Sequence, residues 1–213
     1  MSELTPEPPP AEPEVTTAAA LEPGADHPVR LTVTDDLKRS RLTVFFRLVL
    51  AIPLLIWLYL WAIAAFIVLI VGWFAALFTG RLPEGMHNFL TKFQRYNTHL
   101  NAYMSLLSNP YPPFNGQFGA YTVDLHVDPP QPQPRWTILL RIILAIPAFI
   151  LTFVFQQVRY IVAFLGWFVC LVMGQMPKGM QDLGLYCLRY EEQTNCYVSL
   201  LTNRYPSLSG PTP

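Results

Sequence analysis

The sequence predicts a mainly α-helical integral membrane protein made of two tandem repeats, and three observations carry that prediction. Of the 213 residues, 52% are hydrophobic and only 13% charged, with a mean hydropathy of +0.31; an ordinary soluble domain carries about a quarter charged residues. Residues 48–78 run for 31 positions without a charge, well past the ~18 that mark a transmembrane candidate. A shift of 94 residues aligns 27–114 with 121–208 without a gap, and 31 of the 88 pairs are identical. Shared hydrophobicity alone does not produce that many.

The flanks separate from these units by composition. Residues 1–26 hold Glu3, Glu7, Glu12, Glu14, Glu22 and Asp26 with no Lys or Arg, among many Pro and Ala. Such a segment cannot bury enough apolar surface to offset chain entropy, so it reads as a disordered acidic tail. It has no basic stretch followed by an apolar one and so is not a signal peptide. Lys+Arg and Asp+Glu balance at 14 each; no global field draws the chain to nucleic acid, and none is expected as a partner. Cys170, Cys187 and Cys196 show no metal or disulfide spacing. The division is therefore a tail (1–26), repeat 1 (27–114), a Gly-containing linker (115–120), repeat 2 (121–208) and a short end (209–213).

Each repeat has the same order of elements. An alternating stretch, Val29-Arg30-Leu31-Thr32-Val33 or Val123-Asp124-Leu125-His126-Val127, reads as a β-strand with one apolar face. A polar bend, "TDDLKRS" or "DPPQPQP", leads to "RLTVFFRLVLAIP" (41–53) or "RWTILLRIILAIP" (135–147), the mouth of a long apolar run. A G-x₂-P-x-G-M turn follows. Beyond it, Met86, Phe89, Leu90, Phe93, Tyr96, Leu100, Tyr103, Met104 and Leu107 fall at helical spacing, which predicts an amphipathic helix suited to the headgroup boundary or to packing on the protein's own strands.

Each apolar run is long enough for one tilted helix or a hairpin of two. A helical hairpin is the favoured reading, giving four transmembrane helices; one long helix per repeat, two in all, is the alternative. Parity favours the hairpin, because it puts both strands and both amphipathic helices on one side of the bilayer. The "QQVR" at 156–159 would then be a hairpin tip. Against it, "LYLWAIAAFI" in the first run has no turn former. Lys38, Arg39, Arg41 and Arg47 precede the first run, so the positive-inside rule predicts a multi-pass protein of the cell membrane with a cytoplasmic N-terminus.

The set "RLTVFFRLVLAIP", "GWFAALFTGRLPEGM", "RYNTHLNAYMSLL" and "YPPF" resembles a bacterial membrane family known as domain of unknown function 4389. The resemblance covers both copies and implies a bacterial membrane setting, without implying an activity.

Chemistry is sparse. The four histidines have no ligand spacing, no HExxH, GxSxG, Walker or GxGxxG motif is present, and the apolar runs contain no Asp or Glu. No enzyme, metal or cofactor is expected. Residues kept in both repeats are the site candidates. Arg41, Arg47, Arg95, Arg135, Arg141 and Arg189 are read as contacts to lipid headgroups or a partner, with the alternative, for Arg41/Arg135 and Arg47/Arg141, of anchors that only fix the depth of the helix end. Tyr96, Asn101, Tyr103, Tyr190, Asn195 and Tyr197 are read as a structural polar cluster under the strands. The expected function is a non-enzymatic scaffold or accessory subunit of the bacterial envelope. Its cytoplasmic-side platform would meet anionic membrane lipids, and an envelope protein or a second copy as a further partner. The alternative is a component of a lipid or small-molecule transporter with its site between the repeats.

Overall fold

A computed structural model describes residues 27–208; the acidic tail and the residues 209–213 lie outside the described residues. Within that range the elements are β1 (Val29–Val33), α1 (Arg41–Thr79), α2 (Glu84–Met104), β2 (Val123–Val127), α3 (Arg135–Met173) and α4 (Lys178–Val198). The chain is mainly helical, with two repeats and a small antiparallel sheet.

The helical hairpin expected in each repeat is not there. α1 and α3 are single continuous helices of 39 residues, each about 58 Å long, and both are long and apolar enough to cross a membrane. They run unbroken through Pro53 and Pro147. With no Gly or Asn at mid-run to turn the chain, backbone hydrogen bonding continues. The "QQVR" segment is no tip: Gln157 faces outward from α3 and Arg159 inward.

Both long helices stop at a glycine. Gly80 and Gly174 adopt left-handed φ of 76° and 70°, a conformation without penalty where there is no Cβ. Their N–H groups close on the Ala76 and Cys170 carbonyls at 2.8 and 2.9 Å. The chain then doubles back. At the start of the return, Leu82 and Met86 lie over Gly72, where a Cβ would sit 2.8 Å from Leu82 Cδ1. At mid-length Trp61 meets Phe89 and Phe93 with ring centroids 6.3 and 6.1 Å apart. At the far end Arg47 donates to the Tyr103 carbonyl. α4 retraces α3 in the same way, through Phe155 with Tyr186 and Tyr190 and through Arg141 with the Tyr197 carbonyl.

The parity expectation places strand and amphipathic helix beyond the end of a span. Instead α2 and α4 lie alongside their long helices, so the repeats' polar parts meet over the middle. Of the two settings open to the amphipathic helix, the return brings out packing on the protein's own strands. α2 and α4 form an internal layer, with the long helices on one side and the sheet on the other. Beside the apolar stripe, Thr91, Gln94, Thr98 and His99 of α2 are buried too.

The repeats pair about an internal pseudo-twofold axis. α1 runs antiparallel to α3: the Trp73 indole donates to the Ile138 carbonyl and the Trp167 indole to the Val44 carbonyl, each at 3.1 Å. These bonds interchange under the 94-residue shift, and so do Arg39 N–H to Gly174 O (2.9 Å) and Gln133 N–H to Gly80 O (2.8 Å). In the sheet Leu31 pairs with Leu125, the same position in the two units, so the axis passes through that pair. The contact is isologous, as in a twofold homodimer. Three layers result, with α1/α3, then α2/α4, then β1/β2.

Candidate functional site

Two features stand out, a buried polar seam between the layers and an apolar outer face. The six candidate arginines divide between them. Arg41 and Arg135 are exposed at the N-termini of the long helices and donate to the Val172 and Phe78 carbonyls at 2.8 and 3.0 Å. Each thus places positive charge at the carbonyl end of the opposite helix. Arg47 and Arg141 are only 3% and 2% exposed. Arg47 donates to the Tyr103 and Ser108 carbonyls and lies 4.4 Å from the Tyr103 ring centroid. Arg141 does the same with Tyr197, Thr202 and the Tyr197 ring at 4.6 Å. These two tie the far ends of α2 and α4 to α1 and α3, satisfying carbonyls that a helix terminus leaves open. Arg95 donates to the Leu125 carbonyl at 2.8 Å, and Arg189 lies over the Tyr186 ring.

The tyrosines and asparagines do not form one polar cluster, although Tyr96 and Tyr103 pack in one buried group with Val123 of β2 and Leu31 of β1. The Tyr96 hydroxyl donates to the Leu54 carbonyl of α1 at 2.9 Å. Tyr190 packs on Phe155 of α3. Tyr103 and Tyr197 carry the buried arginines, while the Asn101 and Asn195 carbonyls accept the N–H groups that end α2 and α4.

Other residues fill the seam. His99 Nε2 lies 2.9 Å from Asp124 Oδ1, with both side chains buried. Burial disfavours charge on Asp124, yet the His99 ring and the Gly119 and Leu125 N–H groups hold its carboxyl below the usual range. Arg159 grips Glu191 with two bonds of 2.9 Å and also donates to Ser105 of the other repeat; the Arg159 and Glu191 side chains are 1% and 5% exposed. Arg39 joins Asp35 at 2.7 Å and Gln181 at 3.0 Å, and caps the Leu106 carbonyl at 2.8 Å. Glu192 is fully buried in α4; desolvation first, then the negative Glu191, push its carboxyl up to about 8.

Sequence reasoning passed over these groups because it favoured positions alike in both repeats, and nearly all of them sit where the repeats differ. Under the 94-residue shift Arg159 faces Ala65, Glu191 faces Asn97, Glu192 faces Thr98, His99 faces Gln193 and Asp124 faces Arg30. His99 is held by Asp124 of the sheet, and His87 is buried beside Asn88. Cys170, Cys187 and Cys196 are free and buried. Among the described residues no three His, Cys, Asp or Glu are grouped to hold a metal.

The outer face is larger and simpler. On α1 the buried residues Val44, Arg47, Ala51, Leu54, Ala65, Gly72 and Ala76 form one stripe. At 100° per residue the remaining exposed arc spans about 220°. It carries Phe45, Phe46, Ile52, Ile63, Phe66 and Phe74, among others, with no charge between Leu42 and Phe78. α3 matches it, with Ile142, Ile150, Phe153, Phe164 and Val172 exposed and Gln157 the polar exception.

Comparison with curated proteins and with solved structures found no match to either. Residues 41–115 and 135–209 each match the model of one protein family, so both long helices and both return helices fall inside matched segments. The chain belongs to the family described as Domain of unknown function (DUF4389) and carries two copies of it in tandem.

Proposed function

We propose that the protein is a membrane-bound, non-enzymatic scaffold of the bacterial envelope, in which α1 and α3 hold lipid and the opposite layers present a polar platform. One observation carries this reading: a charge-free apolar face runs the full length of both long helices, while α2, α4 and the sheet cover only their inner side. Exposed apolar patches on soluble monomers are rarely larger than a few hundred Å², and two helices of this length exceed that. Arg41 and Arg135 at the ends of the face suit anionic headgroups, and the basic flanks favour the cytoplasmic side for platform and N-terminus. The platform is the surface for an envelope protein partner. A transporter reading has less support: Gln157 faces away from the repeat junction, and Arg159 and Glu191 are sealed against each other.

Fractionation and carbonate washing test the reading. The wild-type chain stays in the carbonate-resistant membrane fraction, and paired Phe66→Glu and Phe164→Glu substitutions, both on the outer face, move it to the supernatant or to aggregates. A wild-type chain that is soluble and monomeric without lipid or detergent ends the proposal.

A further inference from the structure

We propose that α1 and α3 do not cross the bilayer but lie parallel to its surface, immersed side by side in one leaflet. This rests on the membrane reading above and adds the orientation to it.

Length is the first argument. The uncharged exposed face from Leu42 to Phe78 measures about 54 Å, against about 30 Å of hydrocarbon. Fitting it across the core would need a tilt of about 55°, outside the 0–40° that spanning helices adopt. Apolar side chains are exposed at both ends as well as in the middle, from Phe45 and Phe46 to Phe74 and Phe78, so a span would leave one or both ends in water.

The second argument is where the polar layers sit. The sheet is held over the middle of the long helices: Trp61 packs on Phe93 and Tyr96, and on the same stretch of α2 Arg95 and His99 bind Leu125 and Asp124 of β2. If α1 crossed the membrane, the partly exposed Arg30–Asp128 pair, 22% and 29% exposed, and the exposed Lys92 would sit near the bilayer midplane, where charge is expensive. Laid flat, the same fold puts every one of these groups in the water above the headgroups.

The shape of the face selects lipid over a second copy. An arc of about 220° on each helix is convex. A second copy docked face to face would touch the crest and leave the flanks wet, whereas acyl chains wrap around it. Interfacial helices seat their apolar side about 5–10 Å into the headgroup–acyl boundary; here α2, α4 and the sheet supply the polar side that such helices carry themselves. Exposed basic residues stand at both ends of the pair: Lys38 and Arg41 at one, Arg81 and Arg135 at the other.

Single cysteines replacing Lys38 and Arg81, both exposed, mark the two ends of α1. In inverted and right-side-out vesicles the full-length chain should react with a membrane-impermeant maleimide at both positions from the same side. Spin labels at Phe45, Ile63 and Phe74, all on the outer arc, should report equal depth in phosphatidylglycerol-containing vesicles. Labelling from opposite sides, or a label at Ile63 much deeper than those at Phe45 and Phe74, overturns the flat orientation while leaving membrane binding intact. Labels shielded from lipid by a second copy overturn it too. Loss of the wild-type chain to the carbonate supernatant is the separate result that removes the membrane reading itself.

Discussion

Repeat 1 and repeat 2 build one shape from two chemistries. What they share is the frame: the glycine stops, the return helices, the reciprocal tryptophan bonds and the arginine stacked on tyrosine at each far end. Where they differ is the seam. Repeat 2 buries Arg159 and Glu191 where repeat 1 has Ala65 and Asn97. Arg39 and Gln133 occupy one position and both cap a leucine carbonyl at 2.8 Å. Only Gln133 has an acceptor to offer, and it takes Arg141 at 2.6 Å, whereas Arg39 turns to Asp35 and Gln181 instead. Duplication supplied the frame twice, and the two seams differ in the side chains that fill them.

The largest effect expected breaks that seam. Arg159→Ala leaves Glu191 buried without its cation and should cost about 3–5 kcal/mol, read as a lower midpoint in chemical or thermal unfolding in detergent. Combining Arg159→Ala with Glu191→Asn installs the pair that repeat 1 already uses. It should recover most of the loss; equal loss in the double variant would show that Arg159 acts elsewhere.

Next is pH. Glu192, pushed up to about 8 from an unfolded value near 4.5, holds its proton in the folded chain where the unfolded chain has released it. Its contribution is therefore fully present below the unfolded value and lost as pH rises toward 8, by an amount on the order of 1 kcal/mol or more per pH unit. Unfolding followed between pH 5 and 8 should show that fall. Glu192→Thr, which copies Thr98 of repeat 1, should flatten it.

Smaller still is the contrast between the two buried arginines. Arg47→Ala and Arg141→Ala each remove the arginine bonds to two carbonyls, of which Tyr103 and Tyr197 keep a backbone donor from Leu106 and Leu200, but the second also loses Gln133 and should be the worse by about 1 kcal/mol; identical midpoints would deny Gln133 that role. The smallest effect concerns Trp73→Phe and Trp167→Phe. Each removes one indole hydrogen bond worth about 1 kcal/mol, and the pseudo-twofold axis requires the two losses to match.

Much of the frame was legible in the residues. The 94-residue repeat, the strand positions, the long apolar runs and the G-x₂-P-x-G-M turn all appear where the sequence places them. The number of helices per run is not legible in the sequence, because a charge-free run reports that lipid or core surrounds it and says nothing of which way the next helix goes. The direction is set at Gly80 and Gly174, whose left-handed φ sends the chain back along itself. That return also hides the seam. Arg159 and Glu191 are distant in sequence yet lie at nearly equal distances along the chain from Gly174, so counting outward from the turn is the one signal that pairs them. Arg47 and Arg141 misled for a simpler reason: an arginine at the mouth of an apolar helix looks the same whether it meets a phosphate or a backbone carbonyl.

The Leu31–Leu125 pairing at the centre of the sheet bears on the order of the genetic text itself. Two units related by a twofold have no intrinsic first and second. The two borders of the described range are already close, with the His27 ring nitrogen Nε2 lying 3.3 Å from the Tyr205 carbonyl. A circular permutation, opened inside the 115–120 connector and closed from residue 208 to residue 27, would exchange the two units in the reading frame. It would leave the glycine stops, the tryptophan bonds and the Arg159–Glu191 grip as they are.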